Sequence, residues 1–175
     1  MSSRVIDFKS LIHDVPDFPK KGIIFKDITP LLGNAQAFAA VIDLMTAPFL
    51  GKGISIVAGV ESRGFLLATP IAYRLKAGVV PIRKKGKLPR KTRCAFYDLE
   101  YGQDSIEAHA DAIAPGTKVL LVDDVLATGG TAKAACELLT ALGGSIQGLS
   151  FLIELNFLNG RTKLPRQIIH SLVTY

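Results

Sequence analysis

Two adjacent carboxylates followed by a glycine-rich turn form the part of this sequence best suited to chemistry. Asp123 and Asp124 follow the apolar run at residues 119–122, which is typical of a strand buried on both faces of a parallel sheet. The turn ATGGT at residues 127–131 then opens a helical pattern, and backbone N–H groups at a helix start bind anions. Since carboxylates suit sugar hydroxyls or a metal ion, the stretch predicts a site for a phosphorylated sugar.

The glycine turn also has a plainer interpretation, as an ordinary helix start. Thr131 can cap a helix, and a glycine pair permits a tight turn. That interpretation leaves the two acidic residues in front of the turn unexplained. Neither the Walker pattern GxxxxGK[ST] nor the dinucleotide pattern GxGxxG occurs in the sequence.

A second polar turn, ESRG at residues 61–64, follows a strand predicted at residues 55–60. Taken alone, this turn is a helix cap with a surface arginine. Because the carboxyl ends of parallel strands meet at one edge of a sheet, we expect Arg63 near the acidic pair. A guanidinium beside helix-start amides would make a second anion site there, suited to pyrophosphate.

Seven positive charges lie within the eleven residues of the basic segment, RKKGKLPRKTR at residues 83–93. The whole chain carries a net charge of +6, so the remainder is close to neutral. Such a run commonly indicates a nucleic-acid surface or a solvated loop. Asp98 and Glu100 follow it and would repel a nucleic-acid backbone, so we expect no nucleic-acid partner. We instead interpret residues 83–102 as a long mobile lid.

The elements predicted around these motifs alternate between helices and strands. Helices are predicted at residues 4–13, 35–50, 65–76, 133–142 and, as a short piece, 158–164; strands are predicted at residues 55–60, 79–82, 105–109, 119–122, 146–155 and 168–173. Two prolines and a glycine make residues 15–29 irregular in this prediction. The alternation predicts an α/β fold, with a mostly parallel central sheet flanked by helices and a small N-terminal cap.

Length and composition limit the class of protein. A chain of 175 residues fits one domain, and no apolar run approaches the roughly 18–20 residues of a membrane span. Because the charged start is unlike a signal peptide, we expect a cytoplasmic protein without a membrane partner. Cys94 and Cys136 are expected to be free thiols. The scattered histidines have no metal-ligand spacing, so we expect any divalent ion to arrive with its ligand.

The stretch VDDVLATGGT resembles the phosphoribosyl pyrophosphate (PRPP) motif of the type I phosphoribosyltransferases. Three further motifs resemble the adenine phosphoribosyltransferases of that family: DFPKKGIIFKDIT, ESRG, and the pair RKKGKLP and LEYG. The resemblance covers nearly the whole chain and implies the type I phosphoribosyltransferase fold in a single domain, residues 1–175. It implies that residues 1–34 contribute an N-terminal helix and a base-binding hood, and that residues 83–102 form a flexible catalytic loop.

The same resemblance implies an activity. Adenine and PRPP would give AMP and pyrophosphate, a step of purine salvage, with Mg²⁺ held mainly by PRPP and water. It also implies a homodimer. Lys26 stands where the family usually has Arg, so the planar two-pronged donor of arginine is missing at that position.

The site residues follow from the resemblance residue by residue. The PRPP-binding residues would be Glu61, Ser62, Arg63, Arg83, Lys84, Lys87, Asp123, Asp124, Ala127, Thr128, Gly129, Gly130 and Thr131. The adenine-binding residues would be Ile24, Phe25, Lys26 and Leu155, with Phe25 stacking on the purine. The catalytic residues would be Arg63, Glu100, Tyr101 and Asp124, with Glu100 transferring a proton at the purine ring.

Two other functions stay open at the level of the sequence. A PRPP-sensing regulator that binds DNA would keep the sugar-phosphate site, but it needs a helix-turn-helix or winged extension, and the first thirty residues are too few for one. A phosphoribosyltransferase for hypoxanthine, guanine or xanthine would share most of the motifs. Only the Phe25 segment and LEYG argue against that second alternative.

Overall fold

The computed structural model describes residues 6–98 and 103–175. The chain divides into an N-terminal unit, Met1–Asp43, and a C-terminal unit, Leu44–Tyr175. The division falls inside helix α2, Ala35–Thr46, and therefore later than residue 34, where the hood was expected to end. After α2, Ala47–Phe49 form a 3-10 turn, because Pro48 has no N–H with which to continue the helix predicted to residue 50.

The N-terminal unit is built on a short antiparallel hairpin. Strand β1 (His13–Pro16) pairs with β2 (Ile24–Asp27), and helix α1 (Thr29–Gly33) follows. The irregular structure predicted for residues 15–29 is therefore wrong at the end of β1 and throughout β2.

The predicted N-terminal helix at residues 4–13 is also wrong within the described residues. Only Lys9–Leu11 are helical, as one 3-10 turn. The carboxylate of Asp7 accepts a hydrogen bond from the backbone N–H of Lys9 (3.0 Å), and the hydroxyl of Ser10 donates to the carbonyl of Asp7 (2.8 Å). Local bonds of this kind compete with the backbone bonds of a regular helix.

A seven-stranded sheet forms the centre of the C-terminal unit. Its strands are β3 (Ile56–Val60), β4 (Gly78–Lys84), β5 (Thr92–Asp98), β6 (Gln103–His109), β7 (Lys118–Leu126), β8 (Ser145–Glu154) and β9 (Ile169–Thr174). Their spatial order is β5-β6-β4-β3-β7-β8-β9. The five neighbouring strands β4, β3, β7, β8 and β9 run parallel to one another. Only β6 pairs antiparallel, with β4 and β5. The prediction of an α/β fold with a mostly parallel sheet is confirmed.

The sheet carries helices on both faces, α3 (Arg63–Leu75) and α4 (Gly130–Ala141). Gly59 of β3 faces α3, since a Cβ atom there would lie 2.7 Å from the Cβ of Ala68. Its neighbours Ala58 and Val60 pack into the core cluster that contains the buried residues of α4. Because successive strand residues point to opposite faces, α3 and α4 cover opposite faces of the sheet.

Residues 83–102 contain more regular structure than predicted. They hold the end of β4 and all of β5, which pairs with β6 from Thr92 opposite His109 to Asp98 opposite Gln103. Strand β5 lies at the edge of the sheet, where charged side chains are tolerated, so the apolar pattern of a buried strand is missing. Movement of this segment as a lid stays a prediction, and residues 99–102 lie outside the described residues.

The connection from β8 to β9 differs from the short helix predicted at residues 158–164. It consists of two 3-10 turns, Asn156–Leu158 and Gly160–Lys163, separated by Asn159 with φ of 53°. A residue in this left-handed conformation interrupts any continuous helix. Across residues 6–98 and 103–175, no helix is both long enough and apolar enough to cross a membrane.

Candidate functional site

The carboxyl ends of β3 and β7 border a cavity of about 300 Å³. The turn after β3 and the end of β7 supply most of its charged walls, and β4, β5 and β6 close one side. The lining residues are Val60, Glu61, Ser62, Arg63, Lys84, Tyr97, Ile106, Asp123, Asp124 and Thr131. The fold therefore brings the acidic pair, the ESRG turn and one lysine of the basic segment to one place, which we call the main cavity.

A smaller cavity of about 80 Å³ lies over the glycine turn. It is lined by Asp123 and by residues 125–132, and it shares Asp123 and Thr131 with the main cavity. Gly129 precedes the first residue of α4 with φ of 78°, a conformation that favours glycine. The N-cap position of α4 is held by Gly129, which has no side chain, and Thr131 lies inside the helix, so the plainer interpretation of Thr131 as the cap is wrong. The N–H groups of the first helical turn are positioned to bind an anion.

Arg63 and Asp124 form an ion pair in the main cavity. Nη2 of Arg63 lies 2.6 Å from Oδ2 of Asp124, whose side chain is only 9 % exposed. Oδ1 of Asp123 accepts a hydrogen bond from the backbone N–H of Asp124, at 2.8 Å. Burial, and then the neighbouring charge of Asp124, raise the pKa of Asp123 well above its usual range. Asp123 therefore takes up a proton at a higher pH than an exposed aspartate does.

Gly64 explains how the two turns come so close together. A Cβ atom at this position would lie 2.8 Å from Oδ1 of Asp123 and 3.1 Å from the carbonyl oxygen of Val122. Any larger residue would push α3 away from the end of β7. The glycine in ESRG therefore sets the distance between Arg63 and the acidic pair.

Glu61 is held by the start of the basic segment. Arg83 donates from Nε and Nη2 to the two carboxylate oxygens of Glu61, each at 3.1 Å, and the backbone N–H of Lys84 adds a third bond at 3.0 Å. The hydrogen bonds from Arg83 lower the pKa of Glu61 despite its partial burial. Nη1 of Arg83 donates to the carbonyl of Lys87, at 3.1 Å. Arg83 and Lys87 do not line the main cavity, and their contact with a ligand stays a prediction.

Lys84 reaches the main cavity with two partners that the sequence analysis did not identify. Its ammonium group bonds the carboxylate of Asp104 and the hydroxyl of Tyr97, and that hydroxyl donates to Asp104 at 2.9 Å. Partial burial opposes the charge, but these partners raise the pKa of Lys84. Burial raises the pKa of Tyr97. Only the register of β5 and β6, which places Tyr97 opposite Asp104, could have revealed this cluster.

A buried carboxylate anchors the basic segment to the sheet. Glu107 of β6 is 4 % exposed. Its Oε1 accepts hydrogen bonds from the backbone N–H groups of Gly86 (3.0 Å) and Leu88 (3.3 Å), and its Oε2 accepts one from the hydroxyl of Thr92 (3.0 Å). Burial alone would raise the pKa of Glu107, but these donors outweigh it and lower the pKa.

Replacing Glu107 with glutamine is expected to lower the free energy of unfolding at pH 7 by about 1–3 kcal/mol, because buried donors lose their charged acceptor. A carboxylate with a lowered pKa stabilises the fold above its unfolded pKa, and this stabilisation is lost as the pH falls through the folded pKa. The difference between wild type and variant should therefore shrink below about pH 4. Urea unfolding at several pH values measures it. Glu137→Gln, on the exposed face of α4, is the control, and an equal loss in both variants would contradict the prediction.

The residues predicted to bind a base lie in separate parts of the chain. Ile24, Phe25 and Lys26 belong to β2 of the N-terminal unit, where the ring of Phe25 meets that of Phe18 edge-on at 5.1 Å between centroids. Nζ of Lys26 lies 2.6 Å from the carboxylate of Asp14. Leu155 is buried directly after β8. The roles of these four residues stay predictions.

Glu100 and Tyr101 lie outside the described residues, so their roles also stay predictions. Among the residues that are described, no group of three or more His, Cys, Asp or Glu could hold a metal ion. Asp123 and Asp124 do offer the hard oxygen atoms that Mg²⁺ prefers. Two carboxylates, one of them paired with Arg63, fit an ion that takes most of its ligands from a bound molecule and water.

Residues 31–154 match the family model of the phosphoribosyl transferase domain. An adenine phosphoribosyltransferase of Myxococcus xanthus is 53 % identical over 98 % of this chain and 93 % of its own length. One from Geobacter metallireducens is 54 % identical over 97 % of this chain and 99 % of its own.

Solved structures agree with these relatives. The crystal structure of adenine phosphoribosyltransferase from Rhodothermus marinus matches with a TM-score of 0.94 and 50 % identity, covering 96 % of each chain. The Saccharomyces cerevisiae enzyme, solved with adenine and an imino-altritol bisphosphate, matches with a TM-score of 0.88 and 40 % identity, covering 94 % of this chain and 96 % of its own. The fold implied by the resemblance is thereby confirmed.

Proposed function

The chain belongs to the adenine phosphoribosyltransferases of the phosphoribosyl transferase family, and from this membership we infer that it transfers the 5-phosphoribosyl group of PRPP to adenine. The products are AMP and pyrophosphate, and the reaction serves purine salvage. The observation that supports this function most directly is the main cavity, which the acidic pair borders together with the ESRG turn, while the glycine turn lines the adjoining smaller cavity. This arrangement matches a substrate that carries a phosphate, a sugar and a pyrophosphate in a row.

The end of β7 and the glycine turn bind the ribose 5-phosphate half of PRPP in this proposal. The N–H groups and hydroxyls of residues 127–131 hold the 5′-phosphate, because the smaller cavity is lined by this turn. Asp123 and Asp124 accept hydrogen bonds from the ribose hydroxyls. The carboxylates also lie on the side where positive charge develops on the ribose as the bond from C1 to pyrophosphate breaks.

The opposite wall of the main cavity binds pyrophosphate in this proposal. Arg63 and the helix-start amides of α3 face the space that the acidic pair also borders, and Lys84 adds a second cation. An arginine offers two parallel donors to a phosphate, which suits the leaving group. Arg83 and Lys87 act from the basic segment, and Glu61 orients Arg83 through its two hydrogen bonds.

The base-binding part of the proposal rests on the resemblance and on side-chain type. Phe25 stacks on adenine, the backbone at Ile24 contacts its edge, Lys26 lies beside it, and Leu155 forms an apolar wall. Glu100 and Tyr101 reach the site when residues 83–102 close over it. Glu100 then takes up or returns a proton at the purine ring, and exclusion of water limits hydrolysis of the activated sugar.

Mg²⁺ would be held mainly by PRPP and water, with the carboxylate oxygens of Asp123 and Asp124 beside it, and it would supply positive charge to the pyrophosphate. The homodimer implied by the resemblance and the cytoplasmic location expected from the sequence stay predictions.

One assay tests the base specificity that separates this function from its alternatives. The protein is incubated with PRPP, Mg²⁺ and one of adenine, hypoxanthine, guanine or xanthine, and the nucleotide is identified. AMP is expected as the main product. A higher kcat/KM for another base would overturn the adenine assignment, and absence of any nucleotide together with DNA binding at physiological salt would favour the regulator.

A further inference from the structure

Gly160 packs directly against the glycine turn that borders the smaller cavity. A Cβ atom at Gly160 would overlap the carbonyl oxygen of Ala127 and lie 3.0 Å from the backbone nitrogen of Gly129. A Cβ atom at Gly129 would overlap the carbonyl oxygen of Gly160 and lie 3.0 Å from its carbonyl carbon. The two backbones are thus in direct contact, and neither position has room for a side chain.

The turn that carries Gly160 is itself fixed to the sheet. Arg161 donates from Nε and Nη2 to the two carboxylate oxygens of Glu154, at 2.5 and 2.7 Å, and from Nη1 to the carbonyl of Ile169, at 3.3 Å. Glu154 ends β8 and is buried, so its oxygen atoms hold the arginine firmly. Leu164 closes the turn and is buried as well. The position of Gly160 is therefore set by β8 and β9.

We propose that Gly160 is a positioning residue for the 5′-phosphate of PRPP. It touches no substrate itself. Its contact supports the glycine turn from below, so that the N–H groups of residues 127–131 stay aligned toward the phosphate. The proposal rests on the proposed function and adds to it a residue outside the PRPP motif, one that the ion pair of Glu154 and Arg161 holds in place.

The requirement for glycine follows from the geometry of anion binding. A phosphate is bound by several backbone donors at once, and each bond weakens steeply when its angle worsens. A methyl group at Gly160 has to displace either the turn that carries Gly160 or the glycine turn. The turn that carries Gly160 is held by the bonds between Arg161 and Glu154. The glycine turn is therefore the part expected to move.

The test compares Gly160→Ala with Gly144→Ala, a matched control. A Cβ atom at Gly144 would lie 2.9 Å from the carbonyl oxygen of Leu139 and 3.1 Å from the side chain of Val119, at the amino end of β7 and β8. Both variants add a methyl group in a crowded place, but only one does so beneath the glycine turn. Urea unfolding reports the general loss of stability in each.

Gly160→Ala is expected to change KM for PRPP and to leave KM for adenine almost unchanged. Gly160→Ala should raise KM for PRPP by about 10- to 100-fold and leave KM for adenine within about twofold, because only the phosphate contacts are disturbed. Gly144→Ala should leave both constants within about twofold. An unchanged KM for PRPP in Gly160→Ala, or an equal rise in KM for both substrates, would overturn the proposal.

Two further measurements keep the outcome decisive. If Gly160→Ala does not fold, Arg161→Lys loosens the turn without adding atoms to it, and an unchanged KM for PRPP in that variant overturns the proposal. If the wild-type protein forms no AMP, the proposed function has failed, and calorimetric binding of ribose 5-phosphate then decides the role of Gly160. In that case the proposal requires Gly160→Ala to bind ribose 5-phosphate at least about tenfold more weakly than wild type, and equal binding rejects it.

Discussion

Asp124→Asn is expected to lower kcat for AMP formation by about 10²- to 10³-fold, equivalent to about 2.7–4 kcal/mol of transition-state stabilisation. Asparagine has nearly the same shape as aspartate, but it removes the negative charge beside the ribose, where positive charge develops in the transition state. It also removes the counter-ion of Arg63 and the charge that helps to raise the pKa of Asp123. The stability of the fold should change far less than turnover.

Steady-state kinetics and urea unfolding of the same preparations measure the two effects of Asp124→Asn. Asp111→Asn is the control, since Asp111 is an exposed acid paired with Arg90 at the far end of the β5–β6 hairpin. Its kcat should equal that of wild type. Near-normal turnover in Asp124→Asn would remove the acidic pair from the mechanism, and a loss of turnover matched by unfolding would make its role structural.

Glu100→Ala is expected to lower kcat by about 10²- to 10⁴-fold and to leave KM for PRPP nearly unchanged. The reason is that a general acid or base acts at the purine ring and not on the sugar phosphate. The loss should therefore concern the chemical step.

The dependence of kcat on pH separates this role from a binding role. The pH profile of kcat for Glu100→Ala should lack one ionisation that the wild-type profile shows. The profile of Asp111→Ala should be the same as that of wild type. A variant with a raised KM and an unchanged kcat would show instead that Glu100 contributes to substrate binding.

The sequence was most informative where local chemistry and topology agree. Asp123 and Asp124 follow an apolar run and precede a glycine turn, so a strand and a helix start could both be predicted from one stretch, whereas the anion site stays a prediction. Arg63 was expected near them because parallel strands end at the same edge, and it lies 2.6 Å from Asp124. Both arguments depend only on residues close in sequence and on the direction of neighbouring strands.

The predictions that were wrong, and the residues that the sequence analysis did not identify, have a different physical origin. Strand β5 lies at a sheet edge, where its charged residues carry no apolar pattern. Hydrogen bonds at Asp7 and Ser10 favour a 3-10 turn over the helix that the apolar spacing indicated. Tyr97, Asp104 and Gly160 take their positions from strand register and from backbone contact between distant segments, which no local pattern encodes.

The ion pair between Arg63 and Asp124 joins the ESRG turn to the end of β7. In the proposed binding mode, pyrophosphate alone would draw Arg63 away and leave the nearly buried carboxylate of Asp124 without its counter-ion. Ribose 5-phosphate alone would have to compete with the Arg63 cation for that carboxylate. PRPP would supply a partner to both side chains in one binding event, so the ion pair would favour intact PRPP over pyrophosphate or ribose 5-phosphate alone.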